Sequence, residues 1–220
     1  MEKGDFVKIN YIGRLETGEI FDLTYEDLAR KEGIHNPKMK YGPVLAILGA
    51  GFVIRGLEKS LEEMKVGEKR SVEIKPEDGF GERNPKLVKV VPEKVFEQQK
   101  VEPKQGMVVD FGNGMKGRIQ SATGGRVRVD FNNPLAGKTL KYDVEITEKV
   151  EGRDEKIKAI GESFGIDDMK AEFGEAVHLE TKLKLPLEIK ERIIYLVMKF
   201  AEPQAKSVKF TEVFDRPASL

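Results

Sequence analysis

The sequence has no cysteine and no tryptophan, only two histidines, and no excess of either charge, with 38 basic residues against 38 acidic ones. Without cysteine there is no disulfide framework, no thiol nucleophile and no thiolate zinc site. That composition fits a reducing compartment. Balanced charge argues against a surface dedicated to nucleic acid, which requires a basic excess. No run approaches the roughly 18 apolar residues of a membrane span. The opening Met1-Glu2-Lys3-Gly4-Asp5 has no apolar signal core. These features predict a cytoplasmic protein with neither a membrane nor a nucleic acid as partner. His35 and His178 are far apart, and neither has a neighbour at metal-ligand spacing. Gly112-Asn113-Gly114 lies between two strand candidates and reads as a hairpin turn, not a phosphate loop. No nucleophile is accompanied by a base. Neither cofactor nor metal is expected, and an enzyme of this composition would need a chemistry without acid, base or metal.

What is present is enough chain for two or three modules, 220 residues, with a changing rhythm. Phe6 to Tyr11 alternates apolar and polar residues, the period of a half-buried strand. Thr24 to Glu32 has a helical pattern, with Thr24 as N-cap and Gly33 as stop. Leu57, Leu61 and Met64 share one face of a helix predicted over Leu57–Met64, and Arg70 to Ile74 alternates again. After Gly81 the composition shifts. Leu87 to Val91 reads as a strand and Pro92 to Gln99 as a short helix with proline at its first position. Met107–Phe111, Gly117–Ala122 and Arg126–Phe131 are three further strands, the last two joined at Gly124-Gly125. Leu140 to Ile146 alternates once more. In the tail, Ile157, Ile160 and Phe164 share a helical face, Val177 to Leu185 alternates, Leu187 to Ala201 is an apolar helix, and Ser207 to Phe214 is a closing strand.

Prolyl isomerisation is a chemistry without acid, base or metal. The residues resemble those of the FKBP-type peptidyl-prolyl cis-trans isomerases. Tyr11-Ile12-Gly13-Arg14-Leu15 followed by Phe21-Asp22 is similar to that family's opening, and Val53-Ile54-Arg55-Gly56-Leu57 to its central motif. Pro76-Glu77-Asp78-Gly79-Phe80-Gly81 resembles the segment with an aromatic residue before glycine. Asn133-Pro134-Leu135-Ala136-Gly137, running on to Tyr142-Asp143-Val144-Glu145, resembles the closing strand of the SlyD-like branch. The order is the family's, and it covers about residues 1–150. The tail lacks SlyD's His- and Cys-rich end, so metal binding is not carried over. The chain is more similar to the long archaeal members.

The resemblance implies an α+β fold, an FKBP-like antiparallel sheet around a short helix, with an inserted β-rich domain and a C-terminal α/β domain. The expected domains are 1–83 with 133–150 for the isomerase, 84–132 for an insert-in-flap chaperone domain, and 151–220 for the C-terminal domain. Tyr11, Phe21, Val53, Ile54, Leu57, Phe80 and Tyr142 are expected to line a proline pocket, with Asp22 beside the reacting bond and Leu135 at the rim. Leu57 stands where many relatives have tryptophan, and Phe80 where many have tyrosine, so a hydroxyl is lost there. The implied partners are unfolded or proline-containing polypeptides, for whose capture Phe96, Met107 and Met115 of the insert are candidates. The apolar face from Leu187 to Phe200 reads most simply as the core of the tail domain, and in the sharper reading as a self-association surface for a homodimer through the C-terminal domain. Without the family, the same pocket residues read as the core of an antiparallel sheet, and the three insert residues as that module's own core. A binding-only module with an inactive pocket is the rival function.

Overall fold

The alternation at Phe6–Leu15 forms β1, the strand on which the first sheet is assembled. The structure is a computed structural model describing residues 1–112 and 114–214. After β1 come β2 (Ile20–Leu23), α1 (Glu26–Lys31), β3 (Val44–Ile47), α2 (Arg55–Glu63) and β4 (Lys69–Ile74). Next are β5 (Val88–Pro92), α3 (Lys94–Gln98), β6 (Val108–Asp110), β7 (Lys116–Thr123) and β8 (Arg126–Asp130). Then follow β9 (Leu140–Val150), α4 (Arg153–Ser163), β10 (Lys170–Phe173), β11 (Ala176–Thr181), α5 (Leu187–Leu196) and β12 (Ser207–Glu212). The fold class is α+β. Two compact units emerge, Met1–Ile74 with Leu140–Leu220, and Lys75–Thr139. No helix among the described residues is long and apolar enough to cross a membrane.

In the first unit the strand order is β2-β1-β9-β4, with β3 also paired to β1, and every pairing is antiparallel. β1 and β9 pair from Phe6 opposite Val150 to Leu15 opposite Leu140. Because side chains alternate between the faces of a strand, this register puts Tyr11, Gly13, Tyr142 and Val144 on one face. On α2, Leu57, Leu61 and Met64 are buried as their spacing predicts. The helix begins two residues before the expected Leu57, because Ile54 is extended and serves as its N-cap. A Cβ at Gly56 would lie 2.6 Å from Ile74 Cγ2, so α2 reaches β4 only because this position has no side chain.

The expected N-cap role of Thr24 is not found. Its hydroxyl donates to Asn10 Oδ1 at 2.8 Å and accepts from the Tyr11 N–H at 3.0 Å, tying β1 to the start of the loop. Tyr25 is the N-cap instead, and α1 is only six residues long. β1 also departs from alternation at its start, where Phe6 and Val7 are both buried. The reason is a second layer. Phe6, Ile47 and Val150 share a core with Ile157 and Ile160 of α4, Val177 and Leu179 of β11, and Ile193 and Leu196 of α5. The tail sheet has order β10-β11-β12. β10 is antiparallel to β11, while β11 and β12 run parallel, with α5 in the connection between them. β11 stops at Thr181, short of the predicted Leu185, and the Thr181 hydroxyl donates to Asp168 at 2.7 Å. The predicted helix Leu187–Ala201 divides into α5 and a π-helical turn, Val197–Ala201.

The second unit is a four-stranded antiparallel sheet of order β5-β8-β7-β6. Phe96, Val109, Ile119, Val127 and Val129 form its core. Phe111 packs edge-on against Phe96 and Phe131, at centroid distances of 5.6 and 5.1 Å. Thr123 pairs with Arg126 across Gly124 and Gly125, whose φ angles are +59° and +74°. Both signs positive is what a two-residue type I′ hairpin turn requires. Of the other predicted turn, Asn113 lies outside the described residues. Pro92 ends β5 and does not open the helix, whose N-cap is Glu93.

Replacing Gly56 by alanine should push α2 off β4. Overpacking of this kind costs about 1–3 kcal/mol, so equilibrium denaturation of Gly56→Ala should show that loss, with the far-ultraviolet spectrum unchanged.

Candidate active site

Gly13 sets the geometry of the most aromatic part of the first unit. A Cβ here would sit 2.7 Å from Phe21 Cζ and 3.2 Å from Tyr142 Cε1. The missing side chain lets two rings lie over the backbone of β1. Phe21 comes from β2 and meets Tyr142 edge-on at 5.7 Å. Tyr11 stands two residues before Gly13 on the same face, and its ring lies 5.7 Å from Tyr142. Asp22 follows Phe21 and accepts the Tyr11 hydroxyl at 2.8 Å.

Burial is the main influence on both phenols. It pushes Tyr11 well above the ordinary tyrosine range, and the charge of Asp22 and the hydrogen bond to it add in the same direction. Tyr142 is pushed up to about 12 by burial and then by the charge of Asp22. Both rings are therefore neutral near neutral pH. They can wall an apolar space and donate hydrogen bonds, but they cannot serve as bases there.

Val53 and Ile54 are half-buried in the extended segment that enters α2, and Leu57 is buried in its first turn. Among the described residues no group accepts the Ile54 N–H. Of the expected pocket residues, Tyr11, Phe21, Asp22, Val53, Ile54, Leu57 and Tyr142 belong to the first unit. Phe80 and Leu135 belong to the second. Phe80 is half-buried between a 3-10 turn, Pro76–Asp78, and Gly81, whose φ is +76°. The Gly81 carbonyl accepts the Gly137 N–H at 2.8 Å, and Leu135 donates its N–H to Asn133 Oδ1 at 2.8 Å.

The capture surface expected of the insert needs correction. Phe96 is fully buried and is the centre of its core, so its ring is not a surface. Met107 and Met115 are exposed. Two aliphatic residues join them that alternation did not single out. Val90 is 63% exposed and Val108 is 53% exposed. They stand opposite Arg128 and Arg118 on the neighbouring strands, so this face of the sheet mixes aliphatic and basic groups.

A family model for FKBP-type peptidyl-prolyl cis-trans isomerase matches residues 1–147. The short-type peptidyl-prolyl cis-trans isomerase of Methanocaldococcus jannaschii is 36% identical over 146 residues, 66% of this chain and 92% of that protein. The FKBP-type 16 kDa peptidyl-prolyl cis-trans isomerase of Escherichia coli K12 is 36% identical over 132 residues, 58% of this chain and 86% of that protein. SlyD of Treponema pallidum is 33% identical over 157 residues, 70% of this chain and 81% of that protein.

The raised phenols make a direct prediction. From the ordinary value of 10.0 up to about 12, the folded protein keeps a proton on Tyr142 that the unfolded chain releases. Stability that is fully present below the unfolded value is lost as pH rises through this window. Ultraviolet titration of the native protein should show late-titrating tyrosines, one of them removed by Tyr142→Phe, and that variant should resist alkaline unfolding better.

Proposed function

The chain belongs to the FKBP-type peptidyl-prolyl cis-trans isomerases, and from that membership we propose how it works and on what. The activity is rotation about the bond preceding proline in proline-containing polypeptides. The observation that carries the proposed site is the cluster of Tyr11, Phe21, Asp22 and Tyr142 around the bare backbone of Gly13. Val53, Ile54 and Leu57 complete the proposed set within the first unit, and Phe80 and Leu135 of the second unit are candidates from the motif order alone.

The barrier to rotation is about 18–20 kcal/mol, because amide resonance gives the C–N bond double-bond character. That resonance form separates charge and is favoured by water. An apolar, aromatic surround favours the twisted form. Lowering the barrier by roughly 5 kcal/mol gives several thousandfold in rate. The Ile54 N–H, for which no acceptor is found among the described residues, supports a hydrogen bond to a substrate carbonyl, and Asp22 supplies a fixed charge beside the rings.

Chaperone capture is the second part of the proposal. Residues 84–132 act as an insert-in-flap domain, with Met107, Met115, Val90 and Val108 as its contact surface. Methionine suits a permissive apolar surface, and exposure of these four side chains supports the reading. Residues 151–220 are proposed as a C-terminal domain docked on the isomerase core. Leu187, Tyr195 and Met198, all exposed on or just after α5, are its proposed dimer surface. A cytoplasmic setting belongs to the same proposal and rests on the cysteine-free composition.

A proline-limited refolding assay tests the isomerase mechanism. The protein should accelerate refolding, chelators should leave the rate unchanged, and Asp22→Ala and Phe80→Ala should each slow it by about tenfold, roughly 1.4 kcal/mol of barrier. Unchanged rates in folded variants would remove those residues from the mechanism.

Replacing residues 84–132 by a short loop tests the capture role. Turnover of a short prolyl peptide should be retained. Catalysis on an unfolded protein should fall by about 10²-fold through weaker binding, since tethering raises the local concentration of target bonds. Equal activity on both substrates would remove the insert as the capture site.

A further inference from the structure

We infer that α4 of the C-terminal segment forms one wall of the substrate groove and receives an apolar side chain of the polypeptide flanking the proline. The inference rests on Tyr11 and Val53 lining the proline pocket, as proposed above. Both residues line a cavity of 390 Å³. Tyr41 and Pro43 of the loop before β3, and Phe52 beside Val53, continue its lining on the isomerase side. Ala159, Glu162 and Ser163 of α4 line it from the C-terminal segment. The cavity is large enough for a bulky side chain with some of its backbone, within the usual roughly 300–1,000 Å³ of ligand sites.

The chemistry of the lining selects the guest. Its aromatic and aliphatic groups, Tyr41, Phe52, Val53 and Leu45, give a surface for a ring or a branched aliphatic chain. Three charged groups also line the cavity, and each already has an intramolecular partner. Lys8 lies 3.7 Å from Glu148, Lys40 lies 2.8 Å from Asp167, and Glu162 lies 3.9 Å from Lys158. A charged guest would have to displace one of these pairs, and an apolar guest displaces none. The wall is also preformed. Ile157 and Ile160 anchor α4 in the same core as Phe6 and Ile47. The Lys40–Asp167 pair ties the loop before β3 to the segment that follows α4.

Because Tyr11 and Val53 belong to the proposed pocket and also line the cavity, a chain with its proline against the aromatic cluster can run on into the groove. A chain too short to leave the pocket never meets α4. The groove therefore adds affinity for longer substrates and leaves the chemical step unchanged.

Two substrates and two variants of the full chain separate the ideas. One substrate is a prolyl tetrapeptide, and the other a longer peptide with apolar residues on both sides of the proline. Ser163→Trp fills the groove at an exposed helix end. It should raise KM for the long peptide roughly fivefold, within the range of one lost side-chain contact, with kcat and tetrapeptide turnover unchanged. Phe21→Ala should lower turnover of both. If Ser163→Trp leaves the long peptide unaffected, α4 is not a wall. If Phe21→Ala leaves both unaffected, the pocket itself is misassigned. The unmodified protein gives a second reading by nuclear magnetic resonance. The long peptide should shift the amides of residues 159–163 and the tetrapeptide should not, and absence of such shifts would overturn the inference.

Discussion

The pairing of β1 with β9 is the constraint on which the first unit depends. It joins residues 6–15 to residues 140–150, so the sheet exists only once most of the chain is available. Non-local closure of this kind costs loop entropy before any contact offsets it. Once made, the ladder places everything else. β2 and β3 take one side of β1, and β4 takes the far side of β9. Its middle brings Gly13 opposite Tyr142 and so sets the aromatic cluster. Its end brings Phe6 opposite Val150, where the tail packs. The register shifts by one residue between Lys8 and Ile9, so the stretch from Ile9 onward places the candidate site and the stretch before it places the seat of the C-terminal segment, and a slip of one residue in either would turn its side chains to the other face.

A long insertion is tolerable when its two ends are held together, because closure cost grows only slowly with loop length. The second unit has such a clasp. Asn84 donates its N–H to Asn132 Oδ1 at 2.8 Å, and Asn132 Nδ2 donates back to the Asn84 carbonyl at 3.1 Å. Asp130 accepts from the Asn132 N–H and side chain, from Gln120 and from Arg83. Burial alone would push the Asp130 carboxyl up. The bonds from Asn132, the charge of Arg83 and the bond from Gln120 outweigh it and hold the carboxyl below the usual range. The clasp closes a few residues beyond Gly81, where the composition of the chain changes.

Much of this is legible in the sequence. Strand alternation marked β1, β4 and β9, and the spacing of Leu57, Leu61 and Met64 marked the buried face of α2. Motif order named the residues around Gly13. What was not legible depended on partners distant in sequence. Phe6 and Val7 are both buried because a second layer covers the start of β1, and no local period announces that. Phe96 sits in a five-residue helix, too short to display a periodicity that would mark it as core. Thr24 has the right residue type for a cap, but its hydroxyl is already engaged by Asn10 and the Tyr11 N–H. The parallel pairing of β11 with β12 requires a crossover that strand alternation cannot reveal.

The electrostatics of the cluster limit how it can act. Twisting an amide removes positive character from nitrogen and negative character from oxygen. An anion close to the nitrogen would favour the planar form and slow rotation. An anion close to the carbonyl favours the twisted form. In the proposed site Asp22 would therefore help only from the carbonyl side of the reacting bond. The same reasoning applies to donors. A hydrogen bond to the reacting carbonyl would stabilise its negative charge and hold the bond planar, so in the proposed site the Ile54 N–H would hold a different carbonyl and act by positioning. The twisted nitrogen, by contrast, regains a lone pair and can accept a proton donor. Tyr142 has such a donor, kept neutral because burial and the charge of Asp22 both oppose its ionisation. A carboxylate and a neutral phenol on opposite sides of one bond would each lower the barrier without transferring a proton, which is what a reaction that makes and breaks no covalent bond requires.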